Sequence, residues 1–185
     1  MAVTTLDPRS ALIVIDLQKG IVGLPLAGAI DEVIGNSRRL AEAFRARELP
    51  VVLVNANGIA PGRTEQQRAV RDMPPDWTEL VPELGRQPGD ITATKQTWGA
   101  FASTPLEKQL RDLRVTQVVI TGVATSIGVE STARQAYELG FNVTLAIDAM
   151  TDLRAEAHEA SIAYIFPRLG ETGTTQEIID LLERS

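Results

Sequence analysis

Residues Gln117 to Gly140 read QVVITGVATSIGVESTARQAYELG, and the pattern of this stretch predicts a strand, a tight turn and a helix. The apolar run from Val118 to Ile120 is too short for a helix and consists of β-branched residues, as in a strand that is buried on both faces. Gly122 ends the run, and small residues follow it. A stripe at three- and four-residue spacing then indicates the buried face of a helix, formed by Val129, Thr132, Ala133, Ala136 and Tyr137. Gly140 is placed to end that helix in a left-handed conformation.

The turn between this strand and this helix predicts a pocket lined by backbone N–H groups. Free N–H groups at the start of a helix bind or stabilise negative charge. Taken alone the turn is a weak signal, because any α/β protein contains several such turns.

Strand and helix patterns alternate along the rest of the chain. Further buried strands are predicted at 11–16, 50–55, 91–95 and 142–147, with a short sixth strand at 169–172. Amphipathic helices are predicted at 30–44, at 106–113 after a Thr104 cap, at 152–165, and after a cap at 174–177. This alternation predicts one domain over residues 1–185, with a doubly wound, three-layer α/β/α fold around a central parallel sheet of about six strands.

Two segments lack this alternation. Leu17 to Gly28 is predicted to be a loop that leaves the sheet, and 57–75 an irregular excursion with a short helical piece near 66–70. Loops as long as the second are often functional in a compact domain. Arg63 in that loop could meet an anionic substrate, although a solvated arginine is the simpler interpretation.

Composition excludes several classes of function. The chain has no cysteine, which excludes disulfides, thiolate metal ligands and a cysteine nucleophile. With His158 as its only histidine, no transition-metal site is predicted, and no cofactor is implied. A net charge of −6 argues against nucleic acid and anionic membrane surfaces as partners. The chain begins without a signal-peptide pattern, and no apolar run approaches the roughly 20 residues of a membrane span, so a cytoplasmic protein is predicted.

Three features fall at the carboxyl ends of predicted strands: Asp16, Lys95 and the turn from Gly122 to Gly128. In doubly wound sheets, ligands bind at this edge, near a switch in strand order. Each feature has a plain alternative, since an Asp after a strand is often a cap or turn former and a lone Lys is usually solvated. Together, Asp16 and Lys95 would form a partly buried ion pair suited to proton transfer.

The remaining candidates are weaker. Trp98 and Phe101 follow Lys95 closely and form either ordinary core or the apolar wall of a pocket. His158 lies among charged residues on a predicted helix and is interpreted as a surface residue. Asp148 is expected to end its strand in a structural role.

Four segments together resemble the isochorismatase-like hydrolases, also called the cysteine hydrolase superfamily: 11–18, 95–101, 121–133 and 166–170. The resemblance covers nearly the whole chain in the right order and spacing. It implies the doubly wound fold predicted above, assembled into homodimers or larger homo-oligomers, and a small-molecule substrate.

The resemblance also implies the site residues. Most members carry an Asp, a Lys and a nucleophilic Cys, which correspond to Asp16, Lys95 and Gly128, so the thioester-type mechanism of the amidases is absent here. A cis peptide before Ala124 would turn the amides of Ala124 and Gly128 into the pocket. The metal-binding Asp and His residues of nicotinamidases have no counterpart. Substrate contacts are predicted from Gln18, Trp98, Phe101, Ala124 and Thr125.

Isochorismatases of siderophore and phenazine pathways also have glycine at the position of Gly128, and they hydrolyse an enol ether by protonating carbon with the Asp. The same reaction on a small anionic enol ether, such as isochorismate, is the leading hypothesis here, with Asp16 as general acid. Neighbouring apolar residues would raise the pKa of Asp16 and Lys95 would lower it, and the sequence leaves the outcome open. The alternatives are a family hydrolase with another substrate and reaction, or a non-catalytic oligomeric binding protein.

Overall fold

The computed structural model describes residues 3–65 and 73–184, so the helical piece predicted near 66–70 lies outside the described residues. Over the described residues, parallel strands form a single six-stranded sheet in the order β3-β2-β1-β4-β5-β6. Their bounds are β1 Ser10–Ile15, β2 Val51–Ala56, β3 Ile91–Lys95, β4 Gln117–Val123, β5 Asn142–Thr151 and β6 Glu171–Gly173. The predicted fold class, a three-layer α/β/α arrangement around a parallel sheet, is confirmed.

Helices cover both faces of this sheet. The α-helices are α1 Lys19–Val22, α2 Ile30–Ala46, α3 Leu106–Asp112, α4 Glu130–Glu138, α5 Ala155–Ala160, α6 Phe166–Leu169 and α7 Thr175–Arg184. A 3₁₀ turn spans Pro82–Leu84, and wide π turns span Thr125–Val129 and Ser161–Ile165. Over the described residues, no helix combines the length and the apolar composition that crossing a membrane requires.

Strand β1 shows how the layers are held together. Alternate residues point to opposite faces of a strand. Ala11, Ile13 and Ile15 therefore enter the apolar cluster under α3, α4 and α6. Leu12 and Val14 enter the cluster under α2 and α7. Burial on both faces explains why the strand reads as an uninterrupted apolar run.

The strand order reverses between β1 and β4, which lie side by side with Ile15 opposite Gly122. Gly122 has φ +116°, and a Cβ on it would lie 2.0 Å from the carbonyl oxygen of Ile15. Only glycine permits this close approach of the two strand ends. The crevice at which doubly wound sheets bind ligands is therefore at the ends of β1 and β4.

Several local predictions agree with the structure and some do not. Gly140 has φ +80° after α4, and Thr174 and Glu177 exchange hydrogen bonds at the start of α7. Strand β5 does not end before Asp148 as predicted, because its pairing with β4 shifts register between Ile120 and Gly122 and then resumes as far as Thr151. The segment predicted as a loop after Leu17 contains the single turn α1.

Candidate active site

Asp16 follows the last residue of β1 and has a left-handed backbone, with φ +52°. Its backbone N–H still donates to the Val54 carbonyl of β2, at 2.9 Å. A non-glycine residue in this conformation costs about 1–3 kcal/mol, and such residues cluster at functional sites. The bend turns the chain away from the sheet, and the Asp16 side chain is left only 9% exposed.

Lys95 is the last residue of β3, two strands away from β1. Its side chain, 3% exposed, reaches past the end of β2 and places Nζ 2.7 Å from Oδ2 of Asp16. The same ammonium donates to the carbonyl oxygen of Thr97 at 3.3 Å. The ion pair expected from the strand ends is therefore present, and it is almost fully buried.

The electrostatic balance at Asp16 raises the pKa of its carboxyl group above the ordinary value. Burial removes water from the carboxylate, and this effect outweighs the attraction and hydrogen bond of Lys95, so the pKa of Asp16 rises from 3.8 to about 6. Oδ1 of the same carboxyl group is buried and has no hydrogen-bond partner among the described residues. Asp16 thus has one oxygen held by Lys95 and a second oxygen that can carry a proton.

The turn that follows β4 closes the other side of the site. The peptide bond between Val123 and Ala124 is cis, as the resemblance implied. Gly128 lies in the turn with an ordinary negative φ, and a Cβ built on it would be 3.3 Å from Oδ2 of Asp16 and 3.0 Å from Cγ2 of Ile15. The position at which the resemblance implies a cysteine in most family members therefore faces the Asp16 carboxylate.

Gln18, predicted to contact substrate, is a structural residue instead. Its side chain is fully buried, and Nε2 donates to the carbonyl oxygens of Ala56 and Trp77 at 3.0 and 2.9 Å. Oε1 accepts from the N–H of Ala56 at 2.6 Å. Because these bonds use both the donor and the acceptor end of the amide, Gln18 ties the β1 loop to β2 and to the segment around Trp77.

The two aromatic candidates have different surroundings. Phe101 was predicted to line the pocket, but it is buried in the core under α3 and α4, with its ring centroid 5.9 Å from that of Phe141. Its apolar ring gains more from stacking there than from an open crevice. Trp98 is 49% exposed, so its role as a substrate contact stays a prediction.

Residues of the turn make contacts that the sequence did not indicate. The Thr125 hydroxyl is 2.8 Å from Nδ1 of His158, so His158, interpreted from the sequence as a surface residue, is half-buried and has a partner in the turn. Asp152 accepts hydrogen bonds from both N–H and Oγ of Ser126. No short motif marks these pairs, since the partners are 26 to 33 residues apart.

Two surface clefts of about 570 and 460 Å³ flank helix α2, and neither is lined by Asp16 or Lys95. We place the site at the buried ion pair because titratable groups with opposed charges meet there at the strand ends. Among residues 3–65 and 73–184, no three His, Asp or Glu side chains are grouped to hold a metal ion.

Comparison with known proteins shows the family to which the chain belongs. The isochorismatase domain family matches residues 10–177. The chain is 42% identical to the isochorismatase family protein YwoC of Bacillus subtilis (strain 168), over 93% of both chains. It is 29% identical to the phenazine biosynthesis protein PhzD of Pseudomonas fluorescens, over 94% of this chain and 87% of that one.

A solved structure has the same architecture. An isochorismatase family protein from Burkholderia thailandensis superposes with a TM-score of 0.93 and 41% identity, covering 97% of this chain and 98% of the other. Sequence, fold and family match agree over nearly the whole length of the chain. The protein is therefore a hydrolase of the isochorismatase family.

Proposed function

We propose that the protein hydrolyses a small anionic enol ether of the isochorismate type, with Asp16 as the general acid and without a covalent intermediate. The observation that supports this most directly is the state of Asp16, which is buried, has its pKa raised to about 6 and keeps Oδ1 without a partner among the described residues. At pH 7 such a group is protonated in about one molecule in ten, against fewer than one in a thousand for an ordinary Asp. Carbon protonation needs an acid of this kind.

The chemistry follows from the position of that proton. Asp16 Oδ1 protonates the terminal carbon of the vinyl group, and the ether oxygen stabilises the resulting oxocarbenium ion. Water adds to the cationic carbon and returns a proton to Asp16. The hemiketal then collapses to a 2-oxo acid and an alcohol, so one water molecule is consumed and the acid is regenerated.

Lys95 has two roles in this proposal. Its contact with Oδ2 leaves Oδ1 as the oxygen that delivers the proton. An ammonium group has three N–H donors. Asp16 and Thr97 use two of them, and we assign the third to the carboxylate of the substrate.

Gly128 supports the proposal because glycine has no nucleophilic side chain. The chain contains no cysteine, so the acyl-enzyme route through a thiol is closed. The resemblance implies enol-ether hydrolysis for the family members of phenazine and siderophore pathways, which have glycine at this position. One relative of this chain is named as a phenazine biosynthesis protein. Homo-oligomeric assembly, also implied by the resemblance, stays a prediction.

The test is turnover of isochorismate by the purified protein in H₂¹⁸O, with both products analysed by mass spectrometry. We expect pyruvate, together with a ring diol that carries no ¹⁸O, because water adds to the vinyl carbon. The Asp16→Asn protein is the matched control. Absence of turnover, or ¹⁸O in the ring diol, would contradict the proposal.

The pH dependence gives an independent prediction. Only the protonated form of Asp16 is active, so kcat/KM should be level below about pH 6, the pKa of the folded protein. Above that pH it should fall about tenfold per unit, as the donor ionises. A pH–rate profile from pH 4.5 to 8.5 in constant ionic strength buffers measures this, and a rate that rises through pH 7 would assign Asp16 the role of a base.

Metal independence is a further prediction. The chain has one histidine and no cysteine, and the described residues contain no metal-binding cluster. Dialysis against a chelator should leave kcat unchanged. A loss of activity that zinc restores would overturn this prediction.

A further inference from the structure

The turn from Thr125 to Gly128, which faces Asp16, is hydrogen-bonded to the segment of chain that follows β5. Both the N–H and the hydroxyl of Ser126 donate to Oδ2 of Asp152, at 2.7 and 2.8 Å. One residue earlier, the Thr125 hydroxyl is 2.8 Å from Nδ1 of His158 on α5. Two consecutive residues of the turn are thus bonded to one short segment of chain.

Asp152 is a rigid anchor for this contact. It is buried, and its Oδ1 also accepts from the N–H of Arg154 at 3.3 Å. Its backbone carbonyl accepts from the N–H of Ala27 at 2.8 Å. Hydrogen bonds to a carboxylate are stronger than those between neutral groups. Asp152 is therefore held by two further hydrogen bonds in addition to those from Ser126.

His158 adds a second contact that depends on its ring. Burial lowers the pKa of His158, against the opposing effects of Asp152 and Glu159. The ring is then neutral at pH 7, and a neutral imidazole can pair with a hydroxyl as donor or as acceptor. Either arrangement fixes the Thr125 side chain.

The same turn ends at Gly128, where the position of an added Cβ is 3.3 Å from Oδ2 of Asp16. A shift of the turn would change the space that the vinyl carbon and the attacking water share with Asp16. Misplacement by 1 Å can cost 10²-fold in rate. Resting on the proposed function, we propose that His158 and Asp152 are positioning residues, which hold the Thr125–Gly128 turn at its working distance from Asp16.

The experiment compares His158→Phe, which removes the ring nitrogens, with His158→Asn, which keeps a polar atom near the place of Nδ1. Asp152→Asn tests the second anchor. Thr175→Val is the matched control, because it removes a buried hydroxyl that donates to Asp148 on β5 and forms no hydrogen bond with the turn. Each protein is assayed for kcat and KM on isochorismate, and for hydrogen–deuterium exchange of the peptide covering 123–129.

In His158→Phe and Asp152→Asn we expect kcat to fall roughly 10- to 100-fold while KM changes less than about twofold. Exchange in 123–129 should be about fivefold faster, as for loss of one hydrogen bond. His158→Asn should recover most of kcat, and Thr175→Val should match wild type in both measurements.

Unchanged exchange in 123–129 for both anchor variants would overturn the proposal, as would wild-type kcat in both. A wild-type protein without isochorismate turnover would refute the proposed function instead. The exchange measurement would still decide whether His158 and Asp152 hold the turn.

Discussion

Replacing Asp16 with asparagine is expected to lower kcat by roughly 10²- to 10⁴-fold, the range that general acid catalysis contributes. Asparagine has nearly the size and shape of the carboxyl group, but it has no acidic proton to transfer to carbon. KM should change much less, because Lys95 remains available to the substrate carboxylate. Steady-state kinetics on isochorismate measure both constants, and near wild-type turnover would rule out Asp16 as the acid.

Loss of folding must be separated from loss of chemistry in this variant. The pKa of Asp16 is raised in the folded state, so its contribution to stability is present below its unfolded value of 3.8 and is lost as the pH rises through about 6. At neutral pH the buried Asp16 is mostly ionised, and burying that charge costs free energy. Asparagine is uncharged and avoids this cost, but it leaves the buried Lys95 without a counter-charge, which is destabilising. These effects oppose each other, and circular dichroism with thermal unfolding should show a folded Asp16→Asn protein.

Lys95→Met provides a companion measurement with a different signature. Methionine fills the apolar part of the lysine site but removes the charge that lowers the pKa of Asp16. The pH above which kcat/KM falls should therefore move upward from about 6, while KM increases through loss of the substrate contact. An unchanged pH profile would mean that the ionisation of Asp16 does not determine the pH dependence of kcat/KM.

Gly128→Cys is expected to create a thiol that iodoacetamide alkylates roughly 5- to 30-fold faster at pH 7 than an ordinary thiol of pKa about 8.5, which is only about 3% thiolate at that pH. Gly128 has an ordinary negative φ, so cysteine fits the backbone there, and its Cβ would be 3.3 Å from Oδ2 of Asp16. Asp16 can accept the thiol proton. Lys95 and the start of the helix that continues into α4 both favour the thiolate.

The control for this variant is Gly35→Cys on helix α2, where an added Cβ meets no atom within 4 Å. Timed alkylation followed by mass spectrometry gives the rates of both proteins. The contact of 3.0 Å with Cγ2 of Ile15 requires a small local shift, so thermal unfolding of Gly128→Ala measures the steric cost separately. A folded Gly128→Cys protein that reacts no faster than Gly35→Cys would mean that the pocket is elsewhere. Trace amidase or esterase activity of Gly128→Cys would support an acyl-enzyme route in that variant.

The layered fold and the edge that bears the site follow from local patterns in the chain. Short β-branched runs alternate with amphipathic stretches, and a parallel sheet with helices on both faces is the arrangement that buries both. Since parallel strands end at one edge, Asp16, Lys95 and the turn up to Gly128 could be assigned to that edge before any distance was known. The capping of α7 by Thr174 and Glu177 could also be predicted from neighbouring residues alone.

The tertiary structure was needed wherever a side chain's role depends on partners distant in sequence. Gln18 looked available for substrate, but its amide is used by Ala56 and Trp77. The sequence left Phe101 as either core or pocket wall, and the structure buries its ring beside Phe141 in the core. The pairing of His158 with Thr125 likewise joins elements that have no common motif.

The acidity of Asp16 is the clearest case. The sequence placed a carboxyl group beside apolar residues and opposite a lysine, two influences that shift its pKa in opposite directions. Their balance depends on how completely water is excluded and on the distance between Nζ and Oδ2, and neither quantity is encoded in any local pattern. In the structure Asp16 is 6% exposed and has a single 2.7 Å contact with Lys95. One ion pair does not replace the lost hydration of both carboxyl oxygens. Desolvation is therefore the larger effect, and the pKa of Asp16 is raised to about 6.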